Sequence, residues 1–175
     1  MRQGLGITGV RAGRANRSRA GWMRGSWVTW QATLIGTAAV AIIDGLDAVI
    51  FSGMRGVPPM RLFQAIAFSV LGPDTYSYGL SSALLGVLLH ISVAFGIVSV
   101  YVQVSRWMPA LRKYPFVFGL SYGIVAWLVM NFVILPLTRI GVPRLSGLTV
   151  VNGILIHMLG VGLPAALAAS RIRRR

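Results

Sequence analysis

Four apolar blocks, each long enough to cross a hydrocarbon core about 30 Å thick, constrain this chain more than any other feature. They run approximately over residues 27–52, 79–104, 116–137 and 147–169. In lipid, a backbone satisfies its hydrogen bonds only as helices or as a closed barrel. The blocks show no strand-like alternation, which sets the barrel aside. The expected fold is all-α: a polytopic membrane protein whose short connections make an up-down bundle of four transmembrane helices. Composition agrees, with 55% hydrophobic and 11% charged residues among 175, and a mean hydropathy of +0.73. The first block is read as a retained span, since its apolar run continues past Ala41 to Phe51. A signal-peptide core covers only about 7–15 residues.

A formal net charge of +14 suggests nucleic acid until its placement is considered. Arg2, Arg11, Arg14, Arg17, Arg19 and Arg24 precede the first block; Arg106, Arg112 and Lys113 separate the second from the third. Arg171, Arg173, Arg174 and Arg175 follow the fourth, while the other two connections hold only Arg55, Arg61, Arg139 and Arg144. Cationic segments stay cytoplasmic. Both termini and the central loop are therefore expected inside a bacterial cytoplasmic (inner) membrane, facing anionic headgroups. No folded module or aromatic interleaving accompanies the arginines, so nucleic acid is not an expected partner. The chain has no cysteine, which removes disulfides and thiolate metal sites.

Residues 1–26 are Gly- and Arg-rich without a hydrophobic period and read as a disordered cytoplasmic head, with Met23 an alternative start. Residues 27–170 form the transmembrane domain and residues 171–175 a basic tail. Trp22, Trp27, Trp30, Trp107 and Tyr114 fall where headgroups belong. Between the first two spans, Pro58–Pro59 and Gly72–Pro73 bound a segment of about 59–71, too short to cross. Arg61, Gln64 and Ser69 share one face of it, and Leu62, Phe63, Ile66, Val70 and Leu71 the other. That pattern predicts an interfacial helix on the outer surface. Gly119 and Gly123 match the close-packing motif of membrane helices, which seats a helix in its bundle or pairs two copies. Pro136 and Pro164 are expected to kink or end their helices.

Against this background the polar residues stand out. At 1.5 Å per residue, Asp44, His90 and His157 all lie about 15 Å from the outer ends of their spans, the bilayer middle. Asp47, Asn131 and Asn152 fall about one turn further out. Ionisable groups at that depth cost about 2.5–3.5 kcal/mol each and normally face a bundle interior. The six are therefore expected to meet, with Asp44 accepting from an imidazole and Asn131 and Asn152 orienting Asp47.

Such a cluster supports three readings. An Asp–His pair can exchange a proton near neutrality, which suits proton-linked transport or a channel-like role in a small protein that works as a homo-oligomer. Alternatively it is structural, belonging to a scaffold or accessory subunit. Third, His90 and His157 are candidate haem or divalent-metal ligands, although no ligand pair has a motif spacing and no cofactor is expected. Ser81, Ser82 and Ser92 lack the setting of a hydrolytic nucleophile, so enzyme chemistry is not the expectation. Tyr122, Trp127 and Met130 read as packing residues.

The ordered stretches "IDGLDAVIF", "RGVPPMRLFQAIAFSVLG", "LLGVLLHISVAF", "YGIVAWLVMNFVILPL" and "LIHMLGVGLPAALAA" resemble a group of small bacterial inner-membrane proteins, distantly YagU-like. The resemblance covers most of the chain after Gln31 and lands on Asp44, His90, Asn131, Pro136 and His157. It implies a four-helix fold and an inner-membrane location, and no activity. "VPPMR" stands where the group has a Gly-Val-Ser-Pro turn, and the arginine-rich head lies outside the match.

Overall fold

The structure, a computed structural model, describes residues 8–143 and 145–172, with side chains from residue 27 onward. Of the expected disordered head, residues 1–7 lie outside the described residues while the backbone of 8–26 is helical, and 173–175 of the basic tail also lie outside. Among the described residues all regular structure is helical. Helix α1 covers Thr8–Gly53, α2 Pro59–Leu71, α3 Leu80–Trp107, α4 Ala110–Lys113, α5 Pro115–Val129, α6 Gly147–Ile156 and α7 Leu163–Ser170.

Four helical stretches are long and apolar enough to cross a membrane: Trp27–Gly53, Leu80–Trp107, Pro115–Leu137 and Gly147–Ser170. They lie close to the blocks expected from hydropathy. Within their most apolar windows only 17 to 28% of residues are buried inside the protein. The remaining apolar surface, including Ile42, Leu46, Leu84, Leu88, Val125 and Leu155, needs an apolar surrounding. A multi-pass membrane protein meets that need.

Two spans contain a widened π turn, and each widening precedes a proline. In the third span Met130–Ile134 is π-helical ahead of Pro136; in the fourth, His157–Gly162 joins α6 to α7 ahead of Pro164. A proline ring collides with the carbonyl four residues earlier and donates no N–H. Widening the preceding turn removes both conflicts without breaking the span. Of the two prolines expected to kink or end their helices, Pro136 lies in the tight turn Leu135–Leu137 that ends the third span, while Pro164 is accommodated within the fourth.

Small residues decide which helices are neighbours. Gly119 and Gly123 of α5 face Gly162, Ala166 and the backbone of His157 and Met158, so the glycine motif seats α5 against the fourth span. Gly36 of α1 meets Val98 of α3 and Ala168 of α7, and Gly160 meets Ile43. Val40, Val98, Val102, Val161, Ala165 and Ala169 complete a core of short side chains, the usual currency of close helix packing in membranes.

Packing between α3 and α5 is sparse, although a short link joins them. Tyr101 and Tyr122 meet edge to face with ring centroids 4.9 Å apart, and the Tyr122 hydroxyl donates to the Ile97 carbonyl at 2.7 Å. Two bulky rings hold the helices apart where glycines bring α5 to the fourth span. Beyond the rings an apolar groove opens between α3 and α5, lined by Val93, Gly96, Val129 and Met130.

Helix α2 begins with proline at its first position and ends at Gly72, whose φ of 74° favours glycine. It packs closely on α3, where Gly86 admits the backbone of Phe63. Gln64, read from sequence onto a polar face, is instead buried between the two helices at 1% exposure. Its amide donates to the Gly79 carbonyl at 2.9 Å and to the Ser82 hydroxyl at 3.3 Å. Two hydrogen bonds offset the cost of burying the amide, and the absence of a side chain at Gly86 lets the helices come near enough to make them.

Candidate functional site

Asp44 and Asp47 sit on α1 three residues apart, partly buried, while Ile42, Ile43, Leu46 and Ile50 are exposed. The helix thus turns its carboxylates toward the protein and its branched aliphatics outward, as the helical period requires. Opposite Asp44 stands His90 of α3, whose Nδ1 lies 3.9 Å from Asp44 Oδ2. That is ion-pair reach for a protonated ring and too long for a direct hydrogen bond. The other ring nitrogen, Nε2, lies 3.1 Å from the Ala41 carbonyl.

A carbonyl can only accept, so this second contact puts a hydrogen on Nε2. In the neutral ring the Nδ1 lone pair then faces Asp44. Two lone pairs facing each other attract only when one partner carries a proton.

Gly45 leaves room for this approach. A Cβ there would stand 3.2 Å from His90 Nε2, tighter than ordinary contact. The sequence reading passed over this glycine. Its signal is in the sequence, because glycine inside a helix costs about 1 kcal/mol and one set between two aspartates marks a close neighbour.

His157 begins the π turn of the fourth span, and its Nδ1 lies 2.9 Å from the Gly153 carbonyl. By the same argument the hydrogen sits on Nδ1 and Nε2 is the basic nitrogen. Asp44 is also within electrostatic reach of His157 and Asp47. Asp47 accepts a hydrogen bond from the Asn152 amide at 2.9 Å on its Oδ2. Three spans therefore contribute to one polar layer.

Asn131 departs from expectation. Its amide donates at 2.9 Å to the Trp127 carbonyl one turn earlier in its own span. The π turn containing Asn131 rotates the side chains after Met130 relative to a regular helix. Among the described residues Asn152 alone supplies a side-chain hydrogen bond to Asp47. Trp127, by contrast, is buried with its indole against Gly153, next to Asn152. It backs the layer from the α5 side.

Among the described residues no three His, Cys, Asp or Glu side chains form a group able to hold a metal ion. Each imidazole already has one nitrogen engaged by backbone. The layer sets one carboxyl within electrostatic reach of two imidazoles. No family model, curated protein or solved structure matches this chain.

Proposed function

We propose that this chain is a multi-pass protein of the bacterial cytoplasmic membrane that moves protons, alone or coupled to a small solute, past Asp44, His90 and His157. In this reading the four spans run up and down, both termini are cytoplasmic and α2 lies in the outer interface. The uneven distribution of arginines supports the orientation. Contacts pairing Gly36 with Ala168 and Gly160 with Ile43 support opposite directions for α1 and the fourth span. The resemblance to small bacterial inner-membrane proteins supports the location.

One observation carries the proposal: His90 is tied to the α1 backbone through Nε2 while Nδ1 addresses Asp44 at 3.9 Å. A structural pair would close that gap into a direct hydrogen bond. A relay needs a partner it can release, and a contact within ion-pair reach but short of a hydrogen bond leaves the ring free to do so.

The test is dissipation of a pH gradient by purified protein in proteoliposomes, read with an entrapped pH-sensitive dye. Wild type is expected to collapse the gradient faster than protein-free vesicles. Asp44→Asn should insert equally well and return the rate to the protein-free level. An Asp44→Asn protein as fast as wild type would remove the proposal.

A second reading has its own support. The closed Asn152–Asp47 hydrogen bond and the glycine seam between α5 and the fourth span are what a scaffold would also need. If the protein is such a scaffold, wild-type vesicles hold their gradient as well as empty ones, with or without added solutes.

A further inference from the structure

We propose that the groove between α1 and α7 is a binding site for one anionic diacyl phospholipid of the leaflet on the C-terminal side. This groove is separate from the polar layer and does not depend on proton movement. Ile35, Ala39 and Ile43 form one wall, Leu159, Leu163 and Leu167 the other, and Arg171 stands at the end. Its volume of about 310 Å³ is far beyond the water-sized gaps of ordinary packing.

Length and charge identify the occupant. From Leu159 to Arg171 the helix rises about 18 Å at 1.5 Å per residue, against about 15 Å for half a hydrocarbon core. The groove therefore runs the depth of one leaflet, from the bilayer middle to the headgroups. Its walls are aliphatic along that length and its end is an exposed guanidinium. Among the described residues Arg171 forms no ion pair. An acyl chain along the walls with a phosphodiester on the guanidinium satisfies both ends at once.

A second copy of the chain fits less well. Its helix would bring another cationic terminus to the same level, and the three acidic residues, Asp44, Asp47 and Asp74, lie elsewhere in the sequence. Like charges would meet at the interface.

The experiment uses the full chain reconstituted in phosphatidylcholine vesicles doped with phosphatidylglycerol. The protein is then extracted in mild detergent, and retained lipid is counted by native mass spectrometry. One phosphatidylglycerol per chain is expected, in preference to phosphatidylcholine. Arg171→Gln should lower that retention about fivefold, the effect of one basic side chain near an anionic headgroup. Lys113→Gln, which removes an equal charge outside the groove, should leave it unchanged. Ala39→Leu fills part of the groove and should lower retention of any lipid while elution and helix content stay as in wild type.

Equal retention of the two lipids overturns the proposal, as does an equal effect of Arg171→Gln and Lys113→Gln. The chain has no native cysteine, so Ala39→Cys tests the other occupant cleanly. Efficient disulfide formation between copies, without retained lipid, would place a second chain in the groove instead. Should Ala39→Leu fail to fold, the exposed Arg171 decides the matter alone.

Discussion

Consider alanine in place of Gly123. The new methyl carbon would overlap the His157 carbonyl and stand 2.5 Å from the Met158 Cα, about 1 Å short of ordinary contact. The obstacle is helical backbone, which cannot rotate away, so α5 and the fourth span must separate. Overpacking of this kind costs about 1–3 kcal/mol, and a rigid obstacle places it near the upper end. Better helix propensity returns about 1 kcal/mol. Gly123→Ala should therefore lose about 2 kcal/mol net.

The same change at Gly45 meets the end of a side chain. His90 Nε2 lies 3.2 Å from the new carbon and can move by a few tenths of an ångström. Weakening its bond to Ala41 costs about 0.5–1.5 kcal/mol, which the gain in propensity cancels. Gly45→Ala should be as stable as wild type within about 0.5 kcal/mol, yet slower in collapsing a pH gradient because His90 has shifted. Unfolding in mixed detergent micelles, followed by far-ultraviolet circular dichroism, measures the stabilities. If Gly123→Ala is as stable as wild type, the packing of α5 on the fourth span described above is wrong.

Further expectations concern the polar residues. Asn152→Leu removes the donor to Asp47 and should cost about 1–3 kcal/mol if the carboxylate is left unpartnered, whereas Asn131→Leu should change proton flux less than twofold. Equal effects of the two on proteoliposome flux would contradict the pairing of Asp47 with Asn152 alone. Gln64→Leu should loosen α2 from α3 and speed backbone hydrogen exchange over 59–71, at a cost of about 1 kcal/mol. Unchanged exchange there would show that Gly86 packing holds the two helices without the amide.

Much of the site was legible in the sequence because depth in a membrane helix follows from counting. Rise per residue alone puts Asp44, His90 and His157 at one level, and Gly45 between the aspartates carries a signal of its own. Azimuth is harder. Asn131 and Asn152 looked equivalent at their depth, and a π turn ahead of Pro136 left one bonded to its own helix. Gln64 looked like a surface residue because its partners, Gly79 and Ser82, belong to the neighbouring helix and its N-terminal approach.

Hydropathy alone determined that this chain makes four apolar helices, since a backbone without water must bond to itself and a helix does so locally. Which helices touch was settled in three dimensions, because closeness depends on paired surfaces that lie far apart along the chain. Glycines 119 and 123 draw α5 to the fourth span, Tyr101 and Tyr122 keep it from α3, and Gly45 admits His90 to α1. Counting residues sets the level of each polar residue along its span, and only packing decided which of them face each other.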